Sequence, residues 1–595
     1  MKNNNDFKWD LTSLYPSYDS KEYKDAVNEF NEVIKEINEC AHRFDKNNVV
    51  KSLEEYITLS EKLNVLAEPL INYSSLQSEA DVNNSFAQTE LSKLFLKLQD
   101  TVRADVLYSK FIKGVNVDDV CSKSKILSQY KWNLSNDKLS AKHRLSDKEE
   151  LIMAKYDLVA GSAWSDLQSK LTSKLMINVP GFDKSMPLAE VRNLAYSNDS
   201  KVRKNCYDAE INAYKAIEDS VAMALNNIKR QANINVELRK YKSVLDMTCQ
   251  KGHMKEKTLN ALISAIKQEL PKLREYFKLK AKALGHKNGL PFYDLFAPMG
   301  KLTKNYSLEE AKDLILDVYG SFSKEMADSA RRAFDNNWID FYPREGKVGG
   351  AFCSYQPTIK EARILTNFTG SLSDVQTLAH ELGHAYHGYV MSYNPPLQWD
   401  HPMQLAETAS TFNQLLMTKK MLADFKDPEE KLTLLEYGLE EDTQVVVDIL
   451  CRFLFEKKVV DTPLEQPLSA TDLKKMMLDA QDESYGDGLD PDYKHPYMWL
   501  CKGHYYSAGL NFYNWPYAFG MLYARGLYAK YLENKEEFVK NYDEMLKNTC
   551  KMDVEDVAKT MGIDITKKSF WLSSLHQVED DIKEFKLLLK TTNKI

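Results

Sequence analysis

The stretch that organises the chain runs from Ser373 to Val390 and reads SDVQTLAHELGHAYHGYV. Ser373 and Gln376 have the spacing of a capping box, and apolar residues recur after them at helical spacing without an intervening proline. The stretch is therefore predicted to be a helix. On such a helix His380 and His384 lie one turn apart on the same face, where both imidazoles can bind one zinc ion.

Glu381 completes the pattern H-E-x-x-H, in which a glutamate beside the histidine pair acts on a water activated by the metal. With 11 histidines in the chain, an accidental match has a chance of roughly 1 to 2 per cent. A lone histidine on an apolar helix face is more often a core residue than a ligand. A histidine pair with an intervening glutamate on a capped helix instead indicates a zinc site.

A third ligand is needed, because a catalytic zinc usually takes three protein ligands and leaves one position for water. His387 lies on nearly the same helix face but about 4.5 Å further along the axis than His384, so it is expected to point past the metal. The metzincin pattern would require glycine at 387 and histidine at 390, where this chain has His387 and Val390. The candidates that remain downstream are Asp400, His401 and Glu407.

A second helix is predicted after Pro402, over MQLAETASTFNQLLMTKKML. Its apolar stripe consists of Leu405, Ala409, Phe412 and Leu416. Glu407 would then lie on a rigid helix, which positions a ligand better than a loop does. The alternative interpretation of Glu407 is an ordinary solvated helix glutamate.

Several motifs carry a resemblance to a known family: HELGHAYHG and AETASTF, preceded by GGAFCS and ILTNFTGSLSDVQTLAHE. They resemble the thimet oligopeptidase family of zinc metallopeptidases, most closely its oligoendopeptidase F branch, over most of residues 190–590. The resemblance implies a mainly α, two-lobed, zincin-like metallopeptidase with a deep substrate channel. It also implies zinc-dependent endopeptidase action on short peptides, with one zinc ion per chain and Glu407 as its third ligand.

A small β-sheet is predicted immediately before the zinc helix, because glycines, aromatics and short β-prone runs replace helical periodicity from Trp338 onward. Gly349 and Gly350 permit close approach by another chain. Together with the resemblance, this predicts substrate-backbone binding at Gly350 and Ala351. Ordinary turn glycines beside a hairpin are the alternative.

The segment YGDGLDPDYKHPYMWLCKGHYYSAGLNFYNWPYAFG interrupts the later helices with glycines, prolines and many tyrosines. It resembles a family loop whose histidine and tyrosines stabilise the oxyanion, and His504 and Tyr513 are the candidate donors. Trp515 stands where the family pattern has a tyrosine, so Tyr506 and Tyr517 compete with Tyr513 and are predicted to bind substrate. Packing is the alternative for each tyrosine.

Composition restricts the fold class, the partners and the cellular location that the sequence predicts. The 595 residues contain only 22 glycines and 18 prolines, and long Lys/Glu/Leu-rich periodic segments favour a mainly α class. A formal charge of −7 and the lack of basic runs with interleaved aromatics predict no nucleic-acid partner. Eight dispersed cysteines without C-x-x-C, and no segment apolar enough to span a bilayer, predict a cytoplasmic protein with no membrane partner.

The helix-breaking residues Pro180, Gly181 and Pro187 predict a domain boundary. We assign residues 1–187 to an N-terminal helical domain, which by resemblance forms one wall of the channel, and residues 188–595 to the catalytic domain. The sequence thus predicts a zinc endopeptidase of short oligopeptides. A zinc exopeptidase and a non-catalytic helical binding scaffold are the alternatives, and the sequence does not reveal the oligomeric state.

Overall fold

The structure is a computed structural model that describes residues 7–300, 304–507 and 509–595. Helices dominate it. Up to residue 300 they are α1 Lys21–His42, α2 Val49–Ala80, α3 Ser85–Leu98, α4 Val102–Lys113, α5 Val117–Lys123, α6 Lys125–Gln129, α7 Lys131–Lys142, α8 Asp147–Val159, α9 Gly161–Ser173, α10 Leu188–Asn193, α11 Ser200–Tyr214, α12 Glu218–Arg239, α13 Val244–Lys251 and α14 Glu256–Ala283.

The helices that follow include the predicted zinc helix, α17. They are α15 Leu308–Phe322, α16 Lys324–Asp335, α17 Leu372–Met391, α18 Met403–Ala406, α19 Thr408–Asp424, α20 Pro428–Thr443, α21 Ile449–Val460, α22 Ala470–Ser484, α23 Met498–Cys501, α24 Trp515–Glu533, α25 Lys535–Asn548, α26 Val554–Thr560 and α27 Lys568–Thr591. A π-helix, Gln444–Asp448, separates α20 from α21. No helix in the described ranges combines the length and the apolarity needed to cross a membrane.

The described residues form two compact units, each assembled from three stretches of chain. The first unit comprises the described residues within 1–144, 303–420 and 530–562, and the second comprises those within 145–302, 421–529 and 563–595. Residue 187 is not a limit of either unit. The helix-breaking residues of Pro180–Pro187 instead belong to a short antiparallel pair of strands, β1 Met176–Ile177 and β2 Met186–Pro187. The functional division into a channel wall and a catalytic domain stays a prediction.

Within the first unit, a small sheet lies beside α17, as predicted. Its strands are β3 Ile339–Asp340, β4 Phe352–Gln356 and β5 Glu361–Leu365, in the order β3-β5-β4. β5 pairs in parallel with β3 and antiparallel with β4, where Phe352 faces Leu365. α17 packs against both β4 and β5. The sheet therefore supports the helix that carries the histidine pair.

The start of α17 differs from the prediction. Ser371, not Ser373, is the N-cap: its hydroxyl accepts from the Asp374 N–H at 3.1 Å, and the Asp374 carboxylate accepts from the Ser371 N–H at 3.0 Å. Gln376 is buried and its side-chain amide donates to Thr418. A charged acceptor at the third helical position makes the stronger reciprocal cap, and this sets the start two residues earlier.

The predicted continuous helix after Pro402 is interrupted at Glu407. α18 ends at Ala406, and Glu407 has φ −86° and ψ 7°, outside regular helix geometry, before α19 begins at Thr408. The Ser410 hydroxyl donates to the Glu407 carboxylate at 2.8 Å. The break turns this side chain toward α17. Hydrophobic periodicity within one segment does not predict such a break, because it depends on tertiary packing.

α17 and α19 come into close backbone contact at Gly383. A Cβ built there would lie 2.7 Å from the Ser410 Cα and 2.9 Å from the Ala409 carbonyl oxygen. Real Cβ atoms do not come so close to backbone, so only glycine permits this spacing. The contact lies within one turn of both Glu381 and His384.

We predict that Gly383→Ala lowers the free energy of unfolding by about 1–3 kcal/mol, because the added methyl overpacks a backbone contact. Chemical denaturation measures the change. Gly438→Ala in α20 is the control, since a Cβ there meets nothing within 4 Å, and it should stabilise by about 0.5–1 kcal/mol through helix propensity. Equal effects of the two variants would contradict the close-packing argument.

Candidate active site

Three side chains of the first unit converge on one point. Oε2 of Glu407 lies 3.1 Å from Nε2 of His380 and 3.4 Å from Nε2 of His384. One ligand atom from each of the three residues lies within 4.8 Å of the others, and all three residues are half-buried. Two imidazole nitrogens and one carboxylate oxygen form a donor set typical of catalytic zinc. The structure therefore brings Glu407, rather than Asp400 or His401, to the histidine pair.

Gln414 of α19 orients the first imidazole. Its Oε1 lies 3.0 Å from Nδ1 of His380, so the Nδ1–H donates to the amide and the Nε2 lone pair is left for a metal. Sequence reasoning missed this residue. The signal was its position seven residues after Glu407, a spacing of about two turns on the helix that the sequence predicts there.

The electrostatics of the cluster suit a cation. Burial alone would raise the pKa of Glu407, but hydrogen bonds and charge from His380 and His384 hold it well below its usual range. Burial likewise opposes the charge on His380, yet Glu407 raises the pKa of that imidazole. A metal binds the deprotonated forms of all three side chains. A divalent cation can therefore take the place of the protons that the two histidines share with Glu407.

Glu381 lies next to this cluster with an oxygen that has no partner. It is 6% exposed, and its Oε2 makes no hydrogen bond to any residue in the described part of the chain. Burial raises the pKa of Glu381, and the neighbouring His384 and His380 oppose the rise. A buried carboxylate oxygen without a partner requires an explanation. Proton transfer with a bound water supplies one, and the orphaned oxygen fits a metal site that holds water.

His387 and His401 lie away from the convergence point. Nε2 of His387 lies 2.9 Å from the Thr549 hydroxyl, and its ring stacks on His401 with centroids 4.8 Å apart. Burial lowers the pKa of His387 well below the usual value. The Asp400 carboxylate accepts from the His401 N–H. These three residues therefore serve packing and local hydrogen bonding.

The predicted substrate-backbone segment precedes an outer strand of the sheet. Gly350 has φ +81°, and a Cβ there would meet nothing within 4 Å, so the turn needs glycine for its conformation rather than for space. Its carbonyl accepts from the Asn367 side chain at 2.9 Å. Ala351 directly precedes β4, which lies at one side of the three-stranded order. An outer strand can accept an added strand.

The predicted oxyanion residues lie in the second unit. The rings of His504 and Tyr513 stack with centroids 5.2 Å apart, and the Tyr517 ring lies 6.3 Å from the first and 5.8 Å from the second. Burial lowers the pKa of His504, which favours the neutral imidazole. Tyr506 is different. It is 1% exposed and its hydroxyl donates to the Trp499 carbonyl at 3.1 Å, which removes it from the candidate substrate residues.

A buried ion pair holds the turn that precedes Tyr513. Nζ of Lys229 lies 2.7 Å from Oε1 of Glu456 and 3.0 Å from Oδ1 of Asn511. The same carboxylate oxygen accepts from the Phe512 N–H at 2.9 Å. Phe512 has φ +54°, a left-handed conformation that costs a bulky residue roughly 1–3 kcal/mol. The ion pair therefore offsets local strain in this turn.

The H-E-x-x-H helix, the Glu407 carboxylate between α18 and α19 and the buried Glu381 have the arrangement of a zincin-like metallopeptidase site. The sequence profile of Peptidase family M3 matches residues 193–577, and the chain belongs to this family. The predicted family resemblance and mainly α peptidase fold are thereby confirmed.

Two curated relatives align with nearly the whole chain. Oligopeptidase PepF of Bacillus subtilis is 25% identical over 593 residues, which cover 98% of this chain and 87% of the relative. An oligoendopeptidase F homologue of Lactococcus lactis is 26% identical over 608 residues, which cover 98% and 97%. The crystal structure of oligoendopeptidase-F from Enterococcus faecium matches with a TM-score of 0.71 and 19% identity, covering 96% of this chain and 99% of that one. The structural likeness shows a shared fold.

Gln414→Leu should weaken metal affinity by about 10- to 100-fold, because it removes the acceptor that fixes the His380 ring. Competition with a chelator of known affinity measures this. Gln398→Leu is the control, since this buried glutamine bonds to Gln129 and Asn133 instead of to a ligand. Unchanged metal affinity in the Gln414 variant would contradict the assigned role.

Glu456→Ala should lower the free energy of unfolding by about 3–5 kcal/mol, because it leaves the Lys229 ammonium buried without its counter-charge. The double variant Lys229→Met with Glu456→Met should recover much of this loss. Urea denaturation of the three proteins measures both values. If the single variant costs no more than the double one, the ion pair does not hold the turn.

Proposed function

We propose that this chain is a zinc-dependent endopeptidase that hydrolyses internal bonds of short oligopeptides, with one zinc ion per chain held by His380, His384 and Glu407. The observation that carries the proposal is the convergence of Glu407 Oε2 with both imidazoles at 3.1 and 3.4 Å. Membership of Peptidase family M3 and the names of the relatives, an oligopeptidase and oligoendopeptidases, support the substrate class.

The chain's own residues account for the proton transfers. When bound, zinc supplies a Lewis acid that polarises the scissile carbonyl and makes a water easier to deprotonate. The free Oε2 of Glu381 accepts the proton of the attacking water, and the raised pKa of this carboxyl helps it to retain that proton. Glu381 then donates the proton to the leaving amine. Gln414 holds the His380 ring in position throughout.

The peptide backbone is proposed to add at the start of the outer strand β4, next to Gly350 and Ala351. The position of β4 in the sheet order and the open space around Gly350 support this placement. Backbone hydrogen bonds would make binding tolerant of side-chain identity, as a peptidase of varied oligopeptides requires. The roles of His504 and Tyr513 as oxyanion donors and of Tyr517 in substrate binding rest on the family resemblance and stay predictions, as does a cytoplasmic location.

Glu381→Gln should lower kcat by at least about 100-fold while zinc content stays near one ion per chain, because the amide cannot accept the proton. A quenched fluorescent peptide blocked at both ends provides the assay, and metal analysis provides the zinc content. Glu536→Gln, an exposed glutamate of α25, is the matched control and should retain full activity. Near wild-type turnover of a zinc-loaded Glu381→Gln protein would disprove the base assignment.

The blocked peptide also separates the alternatives, because an exopeptidase requires a free terminus. Internal cleavage of the blocked peptide, abolished by chelation and restored by zinc, is the expected result. Cleavage that requires a free terminus would favour an exopeptidase. An absence of any cleavage by zinc-loaded protein would favour a binding scaffold.

Tyr513→Phe should lower kcat by about 100- to 1000-fold with little change in metal content, the cost of losing one oxyanion donor. Tyr506→Phe serves as the comparison, because that hydroxyl is already bonded to Trp499. Equal kinetic effects of the two substitutions would argue against Tyr513 as the donor.

A further inference from the structure

A partly enclosed cavity of about 220 Å³ lies inside the second unit, formed by α10, α11 and the segments around Phe292 and Met498. A single water needs only ~10–15 Å³ on the same measure, so the cavity can hold a small organic molecule. Five of the lining residues are aromatic: Tyr196, Tyr207, Phe292, Tyr293 and Phe296. Such walls favour a ligand with a flat apolar body.

Most charges at the cavity wall cancel in pairs. These pairs are Arg192 with Glu210 at 2.5 Å, Arg203 with Asp294 at 2.7 Å, and Arg452 with the lining residue Asp448 at 2.5 Å. Each pair is neutral as a unit. The charge available to a ligand therefore depends on any lining group that has no counter-ion.

Lys502 is such a group. It lines the cavity, yet its ammonium makes no hydrogen bond or ion pair with any residue that the structure describes. Burial, and next the nearby Arg452, lower the pKa of Lys502, while Asp448 opposes the change. Lys502 is half-buried, and a carboxylate bound next to its ammonium would form a charge-assisted hydrogen bond with it.

His495 is a second polar group whose hydrogen-bonding capacity is not used. It is 1% exposed and lines the same cavity. Neither ring nitrogen makes a hydrogen bond within the described part of the chain, and Nε2 lies 3.5 Å from the Glu210 carboxylate. Buried polar atoms in proteins nearly always have a partner. An oxygen-bearing ligand in the cavity would provide one.

The π-helix Gln444–Asp448 contributes Gln444 and Asp448 to the same wall. π-helical turns are rare and occur frequently at functional sites. The cavity thus combines a cation without its own counter-ion, a buried imidazole without a hydrogen bond and irregular backbone. None of the lining residues belongs to the group that converges at the H-E-x-x-H centre.

We propose that this cavity binds a small organic monoanion, a carboxylate with an aromatic body, with the carboxylate paired to Lys502 and the ring against the tyrosine and phenylalanine wall. The site shares no residue with the proposed metal ligands, and the proposal does not depend on the peptidase function.

Isothermal titration calorimetry of the zinc-loaded protein with hippurate tests this proposal. Hippuramide is the matched ligand, because it keeps the ring and lacks the charge. Hippurate should bind saturably and at least about tenfold more tightly than hippuramide. An absence of saturable hippurate binding, or equal affinity for the two ligands, would overturn the proposal.

Variants of the lining residues test whether hippurate binds in this cavity. Lys502→Met should weaken hippurate binding by about 10- to 100-fold, whereas Lys502→Arg should change it by less than about threefold. Ala195→Phe, which fills the cavity without changing its charge, should also block binding, and it decides the question if Lys502→Met does not fold. Unchanged affinity in a folded Lys502→Met protein would overturn the proposal.

A last variant separates this cavity from the metal centre, since a carboxylate can also bind zinc. In Glu407→Gln, which lacks one metal ligand, hippurate affinity should equal that of the wild type. If hippurate binding disappears with the metal, the ligand occupies the metal centre and the cavity proposal fails.

Discussion

The contact between the Glu407 carboxylate and the imidazoles of His380 and His384 is the interaction on which the account depends. It requires α17 and α19 to approach to backbone contact at Gly383, and it requires the helical path to break at Glu407. Gathering ionisable groups in a half-buried place is unfavourable unless a counter-charge or a metal compensates. The arrangement is therefore understandable as a preformed cation site with a proton acceptor, Glu381, beside it.

The surroundings of α17 keep this site rigid. The sheet packs on the helix, and three side-chain hydrogen bonds fix it from other elements: Tyr319 to the Ala379 carbonyl at 2.5 Å, Tyr386 to Asp543 at 2.5 Å, and His387 to Thr549 at 2.9 Å. His387 thus helps to anchor the helix although it is not a ligand. Ligands on rigid elements keep the geometry that catalysis requires.

The sequence predicted those features that depend on local patterns of residues. The histidine spacing, the α17 helix and the sheet before it follow from short-range periodicity and turn residues, whereas the assignment of Glu407 relied on the family resemblance. The break at Glu407, the role of Gln414 and the burial of Tyr506 were missed, because each results from contacts between segments distant in sequence. The cap at Ser371 was missed because Ser373 and Gln376 offer the same spacing. The discontinuous units are likewise a property of long-range packing.

Anomalous scattering at the zinc edge from crystals of the zinc-loaded protein tests the central claim most directly. The account predicts one strong peak at about 2.0–2.2 Å from Nε2 of His380, Nε2 of His384 and a Glu407 oxygen. Among the described residues, Glu269, His576 and Glu579 also have ligand-like spacing. Nζ of Lys272 already lies 2.6 Å from Glu269 and 3.0 Å from Glu579, so this group should show no peak. A zinc peak there, or none at the histidine pair, would contradict the account.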